Sequence, residues 1–137
     1  MAKKTWEEKL SDDRPHTVKV APKDFADIKA GQKMLLTTAR QVDEFVQGIP
    51  PKTSLSMKQL RAALAEETGA EIACPVVTGI CLRTVAEVVN AQLDAGIKPS
   101  KVTPVWRVLP PGTTALKKLE AGSERMVALR KAEGLSF

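Results

Sequence analysis

Two cysteines and one histidine are the residues of this chain whose types could support nucleophilic or metal chemistry. Cys74 directly precedes Pro75 at the start of a long apolar helical pattern, and a helix N-terminus stabilises a thiolate. The alternative for Cys74 is a small buried side chain, the commonest state of a free cysteine. Cys81 lies on the apolar stripe of the same helix and is predicted to belong to the core. His16 stands alone beside Pro15, so neither a histidine-based triad nor a metal site is expected.

Two helical patterns in the middle of the chain must position these side chains. The first begins with Ser56 and Gln59, whose spacing allows a capping box, and ends at Gly69. The second begins at Pro75, where a missing N–H costs nothing, and ends at Gly96. Two helices joined by a short turn that contains glycine are compatible with a helix-turn-helix.

The segment after the second helix is predicted to be extended. Pro104 biases Thr103 away from helical conformation, and the residues that follow are mostly apolar and β-favouring. The sequence therefore predicts a strand over residues 103–109, after the helix pair.

These segments together resemble the DNA-binding domain of the alkylguanine-DNA alkyltransferases. Four motifs in the family's order carry the resemblance: the opening motif (Ile49, Pro50, Ser56, Gln59 and Leu60), the recognition helix (Pro75, Val77 and Ile80), the active-site motif (Pro104, Arg107 and Val108) and the closing motif (Gly122, Leu129, Glu133 and Gly134). The resemblance extends from Thr37 to Gly134. It implies an α+β fold, a winged helix-turn-helix-like single domain that is mainly helical with short strands.

The active-site motif departs from the family at its reactive positions. The family's cysteine is replaced by Val105 and its histidine by Trp106, so the family's thiolate reaction is excluded there. The chain thus resembles the nucleophile-less branch, the alkyltransferase-like proteins, which bind alkylated guanine and flag it for repair. The base pocket that this resemblance implies would be lined by Met57, Pro104, Val105, Trp106, Arg107 and Leu119. The side chains that aid base flipping in the family are missing, since Met57, Gly79 and Leu119 stand in their places.

A basic composition favours a polyanionic partner. The net charge is +5 and the isoelectric point is near 9.4. Two blocks without acidic residues, 49–61 and 97–109, would form a basic face if the fold brings them together; the alternative is a mixed, solvated surface. The resemblance and these blocks give the residues expected to contact DNA: Lys58, Gly79, Arg83, Lys98 and Lys101.

Three of these motif residues have two interpretations each. Arg83 could reach a phosphate or pair with Glu87 one helical turn later. Trp106 could stack on a base or anchor the core beneath the helices. Glu133 matches the glutamate that supports the family's histidine; with that histidine gone, we expect a solvated residue in the last helical turn.

The remaining chain is assigned by shorter patterns. Residues 1–32 are predicted to be an N-terminal extension, either docked through Trp6 or mobile, and residues 33–137 to be the winged-helix domain. Within them we expect a strand at 16–20, a helical turn at 25–29, a helix after Thr37 and Thr38, and a last helix capped by Ser123.

Location and cofactors follow from what the sequence lacks. Two cysteines without a pairing framework, and no signal peptide, predict a cytoplasmic protein. We expect no membrane span, because no apolar run appears long enough. No phosphate-binding glycine loop or nucleotide fingerprint predicts a cofactor.

The function favoured by these observations is non-enzymatic binding of double-stranded DNA, with alkylated guanine as the recognised lesion and a repair protein as a possible partner. One alternative is a diverged protein-interaction module that keeps the winged-helix fold. The other is an alkyl-transfer enzyme that uses Cys74.

Overall fold

The computed structural model of this chain describes residues 5–135 and shows a mixed α+β, mainly helical domain. Its helices and strands, in chain order, are α1 Trp6–Leu10, β1 Thr17–Val20, β2 Lys33–Leu36, α2 Ala39–Gln47, α3 Met57–Thr68, β3 Ile72–Ala73, α4 Pro75–Asp94, α5 Thr114–Lys117 and α6 Glu124–Ala132. Two 3₁₀ turns, Pro99–Lys101 and Val105–Val108, follow α4. The predicted fold class is thereby confirmed at the level of α+β, mainly helical.

The three strands form one small sheet in the order β1-β2-β3. β1 pairs with β2 antiparallel, and β2 pairs with β3 parallel, with Met34 opposite Ile72. β1 lies inside the predicted N-terminal extension. Residues before position 33 therefore contribute a strand to the same sheet as β2 and β3. The region around Phe25 differs from the prediction: Phe25 and Ile28 form an isolated antiparallel bridge rather than a helical turn.

Local capping signals set the bounds of α3 and α4 as predicted. The Ser56 hydroxyl accepts a hydrogen bond from the Gln59 amide at 3.1 Å, and the Gln59 side chain accepts one from the Ser56 amide at 2.8 Å. α3 ends at Gly69, which takes the left-handed φ of +75° that favours glycine. The joint to α4 is longer than a tight turn, because β3 lies within it.

α4 is the central element of the core. Leu82, Val85 and Val89 on α4 are almost fully buried, and α2, α3 and the second 3₁₀ turn pack around this helix. At 20 residues and a mean hydropathy of 1.2, α4 is long and apolar enough to cross a membrane, contrary to the expectation of no such run. However, 56% of that stretch is buried inside the domain, as in the core helix of a water-soluble protein.

The segment after α4 is the clearest departure from the sequence prediction. Residues 105–108 form a 3₁₀ turn instead of a strand, so the expected wing strand is absent from this described segment. Val105, Trp106, Val108 and Leu109 are all buried. A strand on a surface would bury alternate residues only, whereas a curled backbone buries consecutive ones between the surrounding helices.

The ends of the described chain show one docked helix and one uncapped helix. α1 begins with a capping box between Thr5 and Glu8, and it packs against α4, which matches the docked alternative for this segment. α6 begins directly after Ser123 as predicted, but the Ser123 side chain makes no capping hydrogen bond.

Candidate nucleic-acid interface

One groove, which we call the main groove, lies along the N-terminal half of α4 and has a volume of about 820 Å³. It collects side chains from four parts of the chain, α1, the start of α3, α4 and the segment from Gly112 to Lys118. Its lining residues are Trp6, Lys9, Met57, Pro75, Val76, Gly79, Ile80, Arg83, Thr84, Gly112, Thr113, Thr114, Ala115 and Lys118. A groove of this size suits a drug-sized group.

An exposed apolar stripe of α4 faces this groove. Val76 and Ile80 are each 62% exposed, although most other apolar residues of α4 are buried. Gly79 lies between them in sequence, and a Cβ built there would come 3.8 Å from the Met57 side chain. The stripe therefore leaves an open apolar surface at a helix start.

One end of the groove is organised by an aromatic and two cations. The Lys9 ammonium lies 4.3 Å from the centre of the Trp6 ring, and the Arg83 guanidinium carbon lies 5.0 Å from it. Both distances are within the range of a cation–π interaction. Arg83 also donates to the buried carboxylate of Glu87 at 3.2 Å, so the alternative of an Arg83–Glu87 pair is confirmed.

The charge of the groove has one sign. Among the residues that the structure describes, every charged side chain lining it is a cation, namely Lys9, Arg83 and Lys118. Thr84, Thr113 and Thr114 add hydroxyl groups to the lining. Such a surface attracts anionic ligands and provides apolar contact at the same time.

The predicted DNA-contacting residues do not all meet here. Gly79 and Arg83 line the groove, whereas the exposed Lys58 does not, although it follows the groove residue Met57 in sequence. Lys98 and Lys101 follow the other end of α4, about 22 Å from Gly79 along the helix axis at about 1.5 Å per residue. Lys98 and Lys101 therefore lie apart from this groove, although the two basic blocks meet elsewhere, where the Leu55 amide donates to the Arg107 carbonyl at 2.8 Å.

The predicted base pocket is divided in the same way. Met57 lines the main groove, while Pro104, Trp106 and Arg107 line a second, polar groove of about 460 Å³ with Lys101. Two other predicted lining residues, Val105 and Leu119, lie in the core. Trp106 is only 5% exposed, as its core-anchor alternative predicted, although its edge reaches the second groove.

Two arginines of the basic blocks are committed to internal ion pairs. Arg61 is buried, donates to both carboxylate oxygens of Asp27 at 2.8 and 3.0 Å, and also donates to the Ala73 carbonyl. Its guanidinium lowers the pKa of Asp27 by hydrogen bonding. Arg61 therefore links α3 to the loop before β2 and is not available to a ligand.

Arg107 forms the second pair, and Glu133 is not the solvated residue that the sequence predicted. Arg107 donates to the Glu133 carboxylate at 2.9 Å from Nε and 2.5 Å from Nη2, and to the Ile49 carbonyl at 2.7 Å. The hydrogen bonds from Arg107 lower the pKa of Glu133. Glu133 is thus a structural carboxylate whose partner is Arg107.

Neither cysteine thiol is exposed enough to react with a substrate in solution. Cys74 is the N-cap residue of α4 but is only 5% exposed, packed with Ala21, Ile28 and Met34. Cys81 lies in the main core as predicted, and burial raises the pKa of its thiol to about 11. No group of three or more His, Cys, Asp or Glu side chains within residues 5–135 could hold a metal ion.

Sequence reasoning missed Lys9 and Lys118 as residues of the groove. Both are separated from α4 by long stretches of chain, and no local motif connects them to it. The only available signal was Trp6, an aromatic at helical spacing from Leu10 in a polar segment, which suggested docking without indicating where.

No protein-family model, curated protein or solved structure matches this chain.

Proposed function

We propose that the chain is a non-enzymatic DNA-binding protein that holds DNA in the groove beside α4. One observation carries the proposal: Lys9 on α1 and Lys118 after α5 both line the groove, together with Arg83, whose charge is balanced by Glu87. Phosphates neutralised by such cations release condensed counterions, which makes binding favourable and salt-dependent.

The resemblance to the alkyltransferase DNA-binding domain supports the same assignment. We propose α3 and α4 as the counterparts of its helix-turn-helix, within a diverged winged-helix fold, in a cytoplasmic protein. The finer expectation of an alkylated guanine flagged for a repair partner rests on the resemblance. Met57, Pro104 and Val105 lie in the main groove, the second groove and the core, respectively, so they do not line one pocket for a base.

The test is DNA binding measured by fluorescence anisotropy over a range of salt concentrations. The groove variant carries Lys9→Glu with Lys118→Glu. The control carries Lys98→Glu with Lys101→Glu, which changes the net charge by the same amount outside the groove. We expect the groove variant to lose about 1.8 from the slope of log affinity against log salt, at about 0.9 per phosphate contact. We expect the control to keep the wild-type slope.

Two results would contradict the proposal. One is equal loss of binding in both variants, which would reflect net charge alone. The other is binding that does not respond to salt.

A protein-interaction module is the second candidate, and the exposure of Val76 and Ile80 favours it. An apolar stripe on a helix is a usual anchor surface for a partner segment. Absence of DNA binding at low salt, with the fold intact by circular dichroism, would favour this candidate.

Alkyl transfer by Cys74 has less support from the structure. The thiol is nearly enclosed by apolar side chains, so a base would have to displace part of the second core cluster to reach it. Mass spectrometry of the protein after incubation with alkylated DNA would detect an added alkyl group, and we expect none.

A further inference from the structure

The width of the α4 surface limits which form of DNA can reach the groove. A helix with its side chains is about 10–12 Å across, and packed helices lie about 8–10 Å apart. α1 and α5 both pack against α4, and both contribute side chains to the groove. α4 with either neighbour therefore measures about 18–22 Å across, against a major groove about 12 Å wide.

A recognition helix must enter the major groove to read a duplex directly. Here the face that would enter is shared with Trp6 and Lys9 on α1 and with Lys118 after α5. These side chains would meet the phosphate backbones of a duplex before Val76 or Ile80 reached the base edges. A single strand has no such width and can lie along the groove.

The lining of the groove suits unpaired bases. Proteins that bind single strands combine a cationic groove with aromatic side chains on which bases stack. Trp6 provides an indole, Val76 and Ile80 provide apolar contact, and Lys9 and Lys118 provide charges for phosphates. The Arg83 guanidinium lies over the Trp6 ring, 5.0 Å from its centre, and bases stack on guanidinium planes as well as on aromatic rings.

From this geometry we infer that the groove takes single-stranded nucleic acid in preference to duplex, with a base against Trp6 and phosphates at Lys9 and Lys118. The inference rests on the proposed function, because it specifies the form of nucleic acid that the same groove binds. The shared chemistry is an unpaired base with its phosphate, which DNA and RNA both supply.

The experiment compares the full chain against three probes of one sequence, each about 12 nucleotides long, within the ~4–16-nucleotide range of such sites. The probes are single-stranded DNA, single-stranded RNA and duplex DNA. Binding is followed by anisotropy and by quenching of tryptophan emission. Trp106 is buried, so the accessible indole is Trp6. Trp6→Ala should weaken single-strand binding by about 5- to 150-fold, the equivalent of ~1–3 kcal/mol per stacked base, and Trp6→Phe should restore most of it.

Two further variants keep the inference testable if Trp6→Ala detaches α1. Lys118 lies directly after α5, away from α1, and its replacement, Lys118→Ala, should also weaken single-strand binding. As a control, Lys131 on α6 is exposed and lies outside the groove, so Lys131→Ala should leave binding unchanged. Urea unfolding of each variant shows whether the fold is intact.

The outcomes separate this inference from the proposed function. Tighter binding of either single strand than of the duplex supports the inference, and the tighter of the two identifies its source. A preference for duplex overturns the inference and leaves DNA binding in place. Absence of binding to all three probes overturns both. An acidic peptide that displaces the oligonucleotide and binds more tightly assigns the groove to a protein segment and overturns the inference.

Discussion

Replacing Glu133 by Gln tests whether the Arg107–Glu133 pair holds the second 3₁₀ turn against α6. The side chains of Arg107 and Glu133 are only 12% and 18% exposed, and the contact is bidentate. Glutamine keeps the size of the side chain but loses the charge and one acceptor oxygen. The Arg107 guanidinium is then left partly buried with a weaker partner.

The expected cost lies between two known limits. Exposed pairs one helical turn apart contribute about 0.3–0.5 kcal/mol, and breaking a fully buried pair costs about 3–5 kcal/mol. For this largely buried pair we expect a loss of about 2 kcal/mol at pH 7. With a urea dependence of about 2 kcal/mol per M, the unfolding midpoint should fall by about 1 M.

The pH dependence of this loss has a definite sign. Arg107 lowers the pKa of Glu133 below its usual 4.5, so the pair stabilises the fold fully above that value. As pH falls below 4.5 and through the lowered folded pKa, the carboxylate takes up a proton and this stabilisation is lost. The wild type should therefore approach the Glu133→Gln variant in stability as the solution is acidified.

The assay is urea unfolding of both proteins between pH 7 and pH 3, followed by circular dichroism. Glu44→Gln is the matched control, because the Arg40–Glu44 pair spans 3.7 Å and its side chains are 56% and 69% exposed. We expect this control to differ from wild type by less than about 0.5 kcal/mol. A Glu133→Gln variant as stable as wild type at pH 7, or a difference that does not shrink on acidification, would refute the reasoning.

Three further substitutions test other parts of the fold. Ser56→Ala should lower the free energy of unfolding by about 1 kcal/mol by removing a helix cap, and an unchanged thermal midpoint would contradict this. Gly79→Ala should raise it by about 1 kcal/mol, since alanine favours helix and its Cβ would meet Met57 at an ordinary 3.8 Å; a destabilised variant would show that the groove needs glycine. Val105→Cys should transfer no labelled alkyl group from an alkylguanine oligonucleotide. Val105 is fully buried, and burial already raises the pKa of the Cys81 thiol to about 11; efficient transfer would contradict this burial.

The parts of the fold that sequence predicted well are those encoded by neighbouring residues. The Ser56 capping box, Pro75 at the start of α4 and the left-handed Gly69 each depend on contacts within a few residues. Such signals fix where a helix begins and ends whatever packs on it. The predictions for α3 and α4 therefore hold closely.

The parts that failed depend on distant packing. β-branched and aromatic residues at 105–109 predicted a strand, but their preference reflects burial on a pleated surface rather than an intrinsic backbone tendency. Buried on consecutive positions, they form a 3₁₀ turn. Glu133 was predicted to be solvated for a similar reason, since its partner Arg107 lies 26 residues away and shares no local pattern with it.

The candidate site was predicted only in part for the same physical reason. Gly79 and Arg83 were identified because they lie on the predicted recognition helix. Lys9 and Lys118 come to the groove through the docking of α1 and α5, which no spacing in the sequence specifies. Lys98 and Lys101 were predicted as DNA contacts together with Arg83, but they lie beyond the opposite end of α4 from the groove.

The parallel pairing of β2 with β3 has a consequence for how the chain folds as it is made. Met34 cannot meet Ile72 until 38 more residues have been synthesised, which takes about 2 to 8 s at ~5–20 residues per second. During that interval β2 has β1 on one edge and an open edge on the other. An open edge can pair with a second nascent chain. Slow synthesis or a stalled ribosome in the α2–α3 region should therefore favour aggregation of this protein, and pairing of β3 with Met34 and Leu35 should lower that risk.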